Sequence, residues 1–204
     1  FIALSRLISS NLDVNRWVVK LNLDFNNEST LLLDSHKLDI VNELRKEQAD
    51  LFEQNGGLTG AWFSRPVQAS VRKRLLIVLK EEFENVARIC RKDIYTSMKV
   101  YMEKVHRIGA VVEAEPIEKL GCVDGMCFIS PTGKIQFYSG MDVSMDDRLQ
   151  AQSYLAPQTV IPDKALVGAT EAMAKFLHDK WKLIGYFTVR FQAFWDGLEP
   201  WHDS

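Results

Sequence analysis

Ala110-Val111-Val112-Glu113-Ala114-Glu115-Pro116 reads as a strand that leaves its sheet at the proline, which has no N–H to give a ladder. Gly109 just before it stops a helix in which Ile94, Met98, Tyr101, Met102 and Val105 repeat at helical spacing and which Asp93 is placed to cap. Further back, a helix is predicted from Val71 to about Glu84, with a short extended piece over 85–90. Another is predicted over Leu38 to Gln54, capped by Asp34 or Ser35, with Ile40, Val41, Leu44, Leu51 and Phe52 as its apolar stripe and Asn55-Gly56-Gly57 as its end. Arg16-Trp17-Val18-Val19-Lys20-Leu21 sets Trp17, Val19 and Leu21 against Arg16, Val18 and Lys20, the mark of a strand with one buried face. Residues 29–34 return as its hairpin partner.

Beyond Pro116 the character changes. Cys122 to Ile129 and Ile135 to Tyr138 flank the turn Ser130-Pro131-Thr132-Gly133 and predict an antiparallel hairpin. Residues 141–161 carry no clear pattern. Pro162-Asp163 open a long helix to about Lys182, its stripe read as Leu166, Ala169, Met173, Phe176, Leu177 and Trp181. Gly185 begins the clearest strand of the chain. Phe187, Val189, Phe191, Ala193 and Trp195 face one way, Tyr186, Thr188, Arg190, Gln192 and Phe194 the other, and Asp196-Gly197 turns the chain after it. Strands and helices do not alternate strictly and no repeat is visible. The order predicts an α+β fold in two lobes, residues 1–115 and 116–204.

Composition narrows the function classes. The 204 residues carry 25 Lys plus Arg against 27 Asp plus Glu, a net charge of −2, so no strong field is available to grip nucleic acid or an anionic membrane. The longest apolar runs fall far short of a spanning helix. Cys90, Cys122 and Cys127 form no Cys-x-x-Cys pair, and the scattered His36, His106, His178 and His202 have no ligand spacing, so reduced thiols and no metal site are expected. The start at Phe1, within a helix-like pattern and without a signal peptide, and the stop at Ser204 just after a strand and a turn predict a segment of a longer polypeptide, and the expected reduced thiols fit a reducing compartment.

The order of elements and a few short motifs resemble the ATP-grasp fold. The matching residues are Val18-Val19-Lys20-Leu21, the Val111-to-Ile117 stretch, the hairpin across Cys122 to Tyr138, and Ile184-Gly185-Tyr186-Phe187-Thr188-Val189-Arg190-Phe191. Within that superfamily the chain is similar to the ATP-grasp-like region of the IQ motif-containing protein H family of ciliary and sperm-tail proteins. Asn15-Arg16-Trp17, Val-Glu-Ala-Glu-Pro at 112–116 and Gly185 to Val189 carry that likeness. The resemblance implies ATP held between two lobes. Lys20 would reach α/β-phosphate oxygens as a point charge. The backbone of Glu113, Ala114, Glu115 and Ile117 would frame the adenine, with Glu113 or Glu115 accepting from its amine or from the ribose. Without the resemblance, Lys20 reads as a solvated surface lysine and both glutamates as wet strand-end carboxylates. Axonemal localisation, axonemal protein partners and calmodulin, the last through regions outside this segment, also follow only from the resemblance.

Three departures weigh against turnover. The loop Asp24-Phe25-Asn26-Asn27-Glu28 has no glycine whose amides could close over phosphates, and it carries two carboxylates. Where active relatives present a Mg²⁺-binding carboxylate from the polar face of the strand at 185–195, this sequence has Arg190, and a guanidinium cannot ligate Mg²⁺. The following strand, with its second acid and an asparagine, is expected to lie beyond Ser204 or to be absent; Asp196, Glu199 and Asp203 lack that context. The expectation is therefore a degenerate module with no catalytic or metal-binding residues, in which Arg190 touches phosphate directly. An active ATP-dependent carboxylate–amine ligase and a ligand-free interaction domain are the alternatives. Asn55-Gly56-Gly57-Leu58-Thr59-Gly60 lacks the Gly-Lys-Ser/Thr ending of a phosphate loop and reads as a connector. The basic residues between Arg65 and Arg74 read as a solvated helix face, with a calmodulin-like or acidic partner as the competing reading.

Overall fold

Trp17–Leu21 forms β1 in the computed structural model, which describes residues 1–22, 28–116 and 119–195. Most of the glycine-free loop, Ile117, and the acidic residues from Asp196 onward lie outside the described residues. The chain separates into two compact units, Phe1–Ile117 and Glu118–Ser204.

The first unit holds α1 (Ile2–Ser10), β1, β2 (Leu31–Leu33), α2 (Asp39–Gln54), α3 (Arg65–Val86), β3 (Ala87–Ile89), α4 (Met98–Ile108) and β4 (Ala110–Ala114). Its sheet runs β3-β2-β1-β4, every neighbouring pair antiparallel. β1 was expected to bury one face, but Val18 is buried as well as Trp17, Val19 and Leu21, and all three leucines of β2 are buried. One face packs on the helices through Leu4, Ile8, Leu44, Leu75 and Leu79. α3 starts six residues before the predicted Val71, because Pro66 in its first turn needs no hydrogen-bonded N–H and fixes φ for the helix. It then buries Gln68, Val71, Leu75, Leu79 and Phe83 along one stripe.

Two helix starts differ from the sequence reading. α2 begins after a short 3-10 turn over Ser35–Lys37, and neither Asp34 nor Ser35 caps it. Ser35 Oγ instead donates to the carbonyls of Val14 and Asn15, and Asp34 takes Arg16 and Lys37. α4 is capped by Ser97, whose Oγ accepts from the Val100 amide at 3.3 Å, while Asp93 pairs with Arg91 at 2.6 Å. Ile94 therefore lies outside the helix and is exposed. Tyr101 anchors α4: its buried hydroxyl donates toward the carbonyls of Val19 at 3.1 Å and Ser29 at 2.8 Å, tying the helix to the strands beneath it.

The second unit holds β5 (Lys119–Ile129), β6 (Ile135–Met145), β7 (Ala151–Leu155), α5 (Asp163–Trp181) and β8 (Gly185–Phe194). Its antiparallel sheet runs β7-β6-β5-β8. β6 extends seven residues past Tyr138 through a bulge opposite Met126/Cys127, and β7 forms within the stretch that carried no pattern. The buried face of α5 is Leu166, Thr170 and Ala174, so of the stripe read from the sequence only Leu166 is buried. Met173, Phe176 and Trp181 are exposed. Gly125 and Gly140, directly paired on β5 and β6, let the helix come in close, with Thr170 against Gly125 and Leu166 against Gly140. β8 alternates as predicted, with Tyr186, Thr188, Arg190, Gln192 and Phe194 on the more open face.

Candidate functional site

The candidate residues fall in both units. In the first unit, β4 is the edge of its sheet among the described residues, and its register on β1 decides which backbone groups face away from the sheet. Glu115 N donates to Arg16 O at 2.9 Å and Asn22 N to Gly109 O at 3.1 Å. Antiparallel pairs alternate between hydrogen-bonded and non-hydrogen-bonded partners. Glu113, paired with Val18, and Val111, paired with Lys20, therefore spend their N–H and C=O on β1. The same alternation turns the backbone groups of Val112 and Ala114 outward, to the open edge. Ala114 thus offers one donor and one acceptor side by side, the pair that an adenine edge requires.

The side chains beside it are already engaged. Lys20 and Glu113 sit diagonally on one face of the β1–β4 pair, and Lys20 Nζ donates to Glu113 Oε2 at 2.8 Å. Both remain partly solvated, with side-chain exposures of 28% and 49%, so the pair adds little to stability. Glu115 is not a wet strand-end carboxylate: its side chain is only 8% exposed and lies 3.3 Å from Arg16 Nη1. Arg16 also donates to Asp34, whose other oxygen takes Lys37 at 2.6 Å. Asp34 and Glu115 together raise the Arg16 pKa above its ordinary value against the opposing effect of burial.

Burial works to raise the Asp34 carboxyl, but the hydrogen bonds and charges of Lys37 and Arg16 outweigh it and hold the group below its ordinary value of 3.8. A carboxylate depressed in the folded state stabilises the fold above its unfolded pKa and loses that contribution as pH falls through the folded value. Acid titration of the first unit, followed by circular dichroism, should show stability falling below about pH 4. In Asp34→Asn this part of the pH dependence should be absent, and an unchanged acid limb would remove Asp34 from the account.

In the second unit Arg190 stands directly across from Asp124 on β5. Its Nε and Nη2 donate to the two Asp124 oxygens at 2.8 Å each, a bidentate pair, and Nη2 also reaches the Tyr154 hydroxyl at 3.2 Å. The guanidinium carbon lies 5.8 Å from the centre of the Tyr154 ring. The Asp124 side chain is 2% exposed and that of Arg190 34%. The Asp124 hydrogen bonds push the Arg190 pKa up despite partial burial. Both carboxylate oxygens that could have faced a cation are turned to the guanidinium. Among the described residues no group of three or more His, Cys, Asp or Glu side chains could hold a metal ion.

Sequence reasoning missed Asp124, Tyr154 and Arg16. Asp124 had a readable signal, a single acid in the apolar run Val123 to Ile129, facing a strand whose one charge is Arg190. The glycine-rich stretch after α2 is a helix end: Gly56 and Gly57 have φ of +62° and +87°, and Gly57 N donates to Phe52 O at 2.9 Å. Of the basic residues on α3, Arg74 bonds Glu47 at 2.8 Å on α2 and Arg72 donates to Ser9 Oγ at 3.3 Å, so both have partners within the chain.

A protein-family model described as IQCH-like, ATP-grasp matches residues 1–199. The chain belongs to this family. Its two antiparallel four-stranded sheets and their helices are thus an ATP-grasp α+β fold. In this IQCH-like chain, Lys20, Glu113, Ala114 and Glu115 come together on and beside the β1–β4 pair, and Arg190 lies on the open face of the second sheet. No helix among the described residues is long and apolar enough to cross a membrane.

Proposed function

We propose that this chain is a degenerate ATP-grasp module of a ciliary structural protein, one that holds an adenine nucleotide without efficient turnover. The observation that carries this reading is the Arg190–Asp124 pair. At the position on β8 where a Mg²⁺-binding acid would serve phosphoryl transfer stands a guanidinium, and the carboxylate paired with it is neutralised by it. Nucleotide contact has its own support, the outward Ala114 backbone beside the cationic Lys20. The adenine edge meets Ala114, and Lys20 meets the phosphates as a point charge. The ciliary setting and axonemal partners are proposed from the family alone.

Calorimetric titration of the intact protein with ATP, with and without Mg²⁺, tests this. The expected result is binding that does not depend on metal, that weakens about ten-fold in Lys20→Ala, and that proceeds without ADP formation. Tight binding only with Mg²⁺, together with ATP consumption when a carboxylate and an amine are supplied, would establish a carboxylate–amine ligase instead. Absence of binding in both conditions would make this an interaction domain without ligand.

A further inference from the structure

We infer that Glu113 is a resident counter-anion for Lys20 and therefore a determinant of how strongly, and for how many phosphates, the site binds nucleotide. This rests on the nucleotide reading above and departs from the expectation that a Glu113 carboxylate would accept from adenine. The Glu113 main-chain groups are committed to β1, so its contribution to the site is its side chain alone. That side chain is engaged on the face of the sheet, whereas the Ala114 backbone groups face the edge. It crosses to β1 and takes Lys20 Nζ at 2.8 Å.

The sheet fixes this choice. Val18 pairs with Glu113 and Lys20 with Val111, so Lys20 and Glu113 are diagonal neighbours on one face, within reach of two long side chains. Glu115, the other carboxylate of the stretch, is held by Arg16 and does not compete for Lys20. An ammonium has three donors and can keep Glu113 while meeting a phosphate oxygen. The phosphate then lies a few ångströms from a carboxylate, and like charges at that distance in partly solvated surroundings weaken binding by several-fold. Adenosine has no such charge to repel. Glu113 thus lowers affinity in proportion to phosphate charge and leaves the base untouched, a bias toward a weakly held, exchangeable nucleotide.

The test is calorimetry of ATP, ADP, AMP and adenosine with the intact wild-type protein, Glu113→Gln and Glu113→Ala. Glutamine keeps the length and hydrogen-bonding capacity of the side chain and removes its charge. Both variants should tighten ATP by roughly five-fold, ADP by less, and leave adenosine unchanged, with a salt dependence steeper than in the wild type. Thermal melts should move little, since the pair is a solvated one. Weakening of ATP and adenosine to the same extent would overturn the inference and make Glu113 a base or ribose acceptor. ATP binding equal in wild type and both variants would overturn it while leaving the nucleotide reading intact. ATP binding to none of the three proteins would remove the nucleotide reading, and this inference with it.

Discussion

Replacing Arg190 by Met should destabilise the second unit by about 2–4 kcal/mol, and replacing Asp124 by Leu in the same protein should recover most of that loss. The asymmetry follows from burial. Asp124 is almost fully enclosed and directs both oxygens at one guanidinium, so removing Arg190 leaves a buried carboxylate with its main partner gone. Such an ion costs several kcal/mol, reduced here because one edge of Arg190 reaches solvent. An apolar pair of similar volume on β5 and β8 has no charge to strand, and the flanking Tyr154 ring offers it an apolar wall. Equilibrium urea denaturation of the four proteins in the cycle measures this. A double-variant loss equal to the sum of the two single losses would show that the pair does not act as a unit.

The same cycle separates structure from ligand binding. A simple Arg190→Ala variant that lost nucleotide would not distinguish a missing phosphate contact from a disturbed sheet. The Asp124→Leu/Arg190→Met protein, if folded, removes the cation without leaving a buried anion. ATP affinity retained in it would assign Arg190 to the sheet, and affinity lost in it would assign Arg190 to the phosphates.

What the sequence disclosed and what it hid divide along physical lines. β8 was legible because period-two alternation survives wherever one face of a sheet is more open than the other, as Tyr186 to Phe194 shows, β1 by the same alternation although Val18 is buried too, and β4 by the glycine and proline that bound it. Lys20, Glu113 and Arg190 were legible as charges on those strands. Their partners were not, since the Lys20–Glu113 contact depends on a diagonal register between strands 93 residues apart, and Asp124 meets Arg190 across 66 residues. α5 shows the opposite error. Met173, Phe176 and Trp181 look like a core stripe by size, yet the buried face is Leu166, Thr170 and Ala174. Hydrophobicity ranks residues by what they gain on burial, whereas close approach to a glycine pair selects for what fits. At α4, Asp93 has the right chemistry for a cap but is captured by Arg91 two residues earlier, leaving the role to Ser97.

Gly125→Ala should be among the most damaging single-methyl additions in the second unit, costing about 3 kcal/mol. A Cβ at Gly125 would stand 2.1 Å from Thr170 Oγ1 and 3.2 Å from both Thr170 Cβ and Cγ2, on the inner surface of α5. Its cross-strand partner Gly140 is equally confined, with Leu166 Cδ2 at 2.5 Å and Gln158 Cγ at 2.8 Å, so the helix cannot slide toward β6 to make room. The strain therefore falls on β5 itself, whose next residue toward the chain start is Asp124 on the opposite face, and the Arg190 pair should loosen with it. Thr170 is where relief is available. Its hydroxyl is buried with no hydrogen-bond partner among the described residues, so Thr170→Ala removes an unpaired polar atom along with a methyl group and should change stability by less than about 1.5 kcal/mol. In Gly125→Ala/Thr170→Ala the 2.1 Å approach to Oγ1 and the 3.2 Å approach to Cγ2 are removed while the 3.2 Å approach to the residue 170 Cβ stays, and at least half of the Gly125→Ala loss should return. Urea denaturation gives the coupling directly. Losses that simply add would mean that α5 is not seated by the glycine pair, and the close approach of the helix would need another cause.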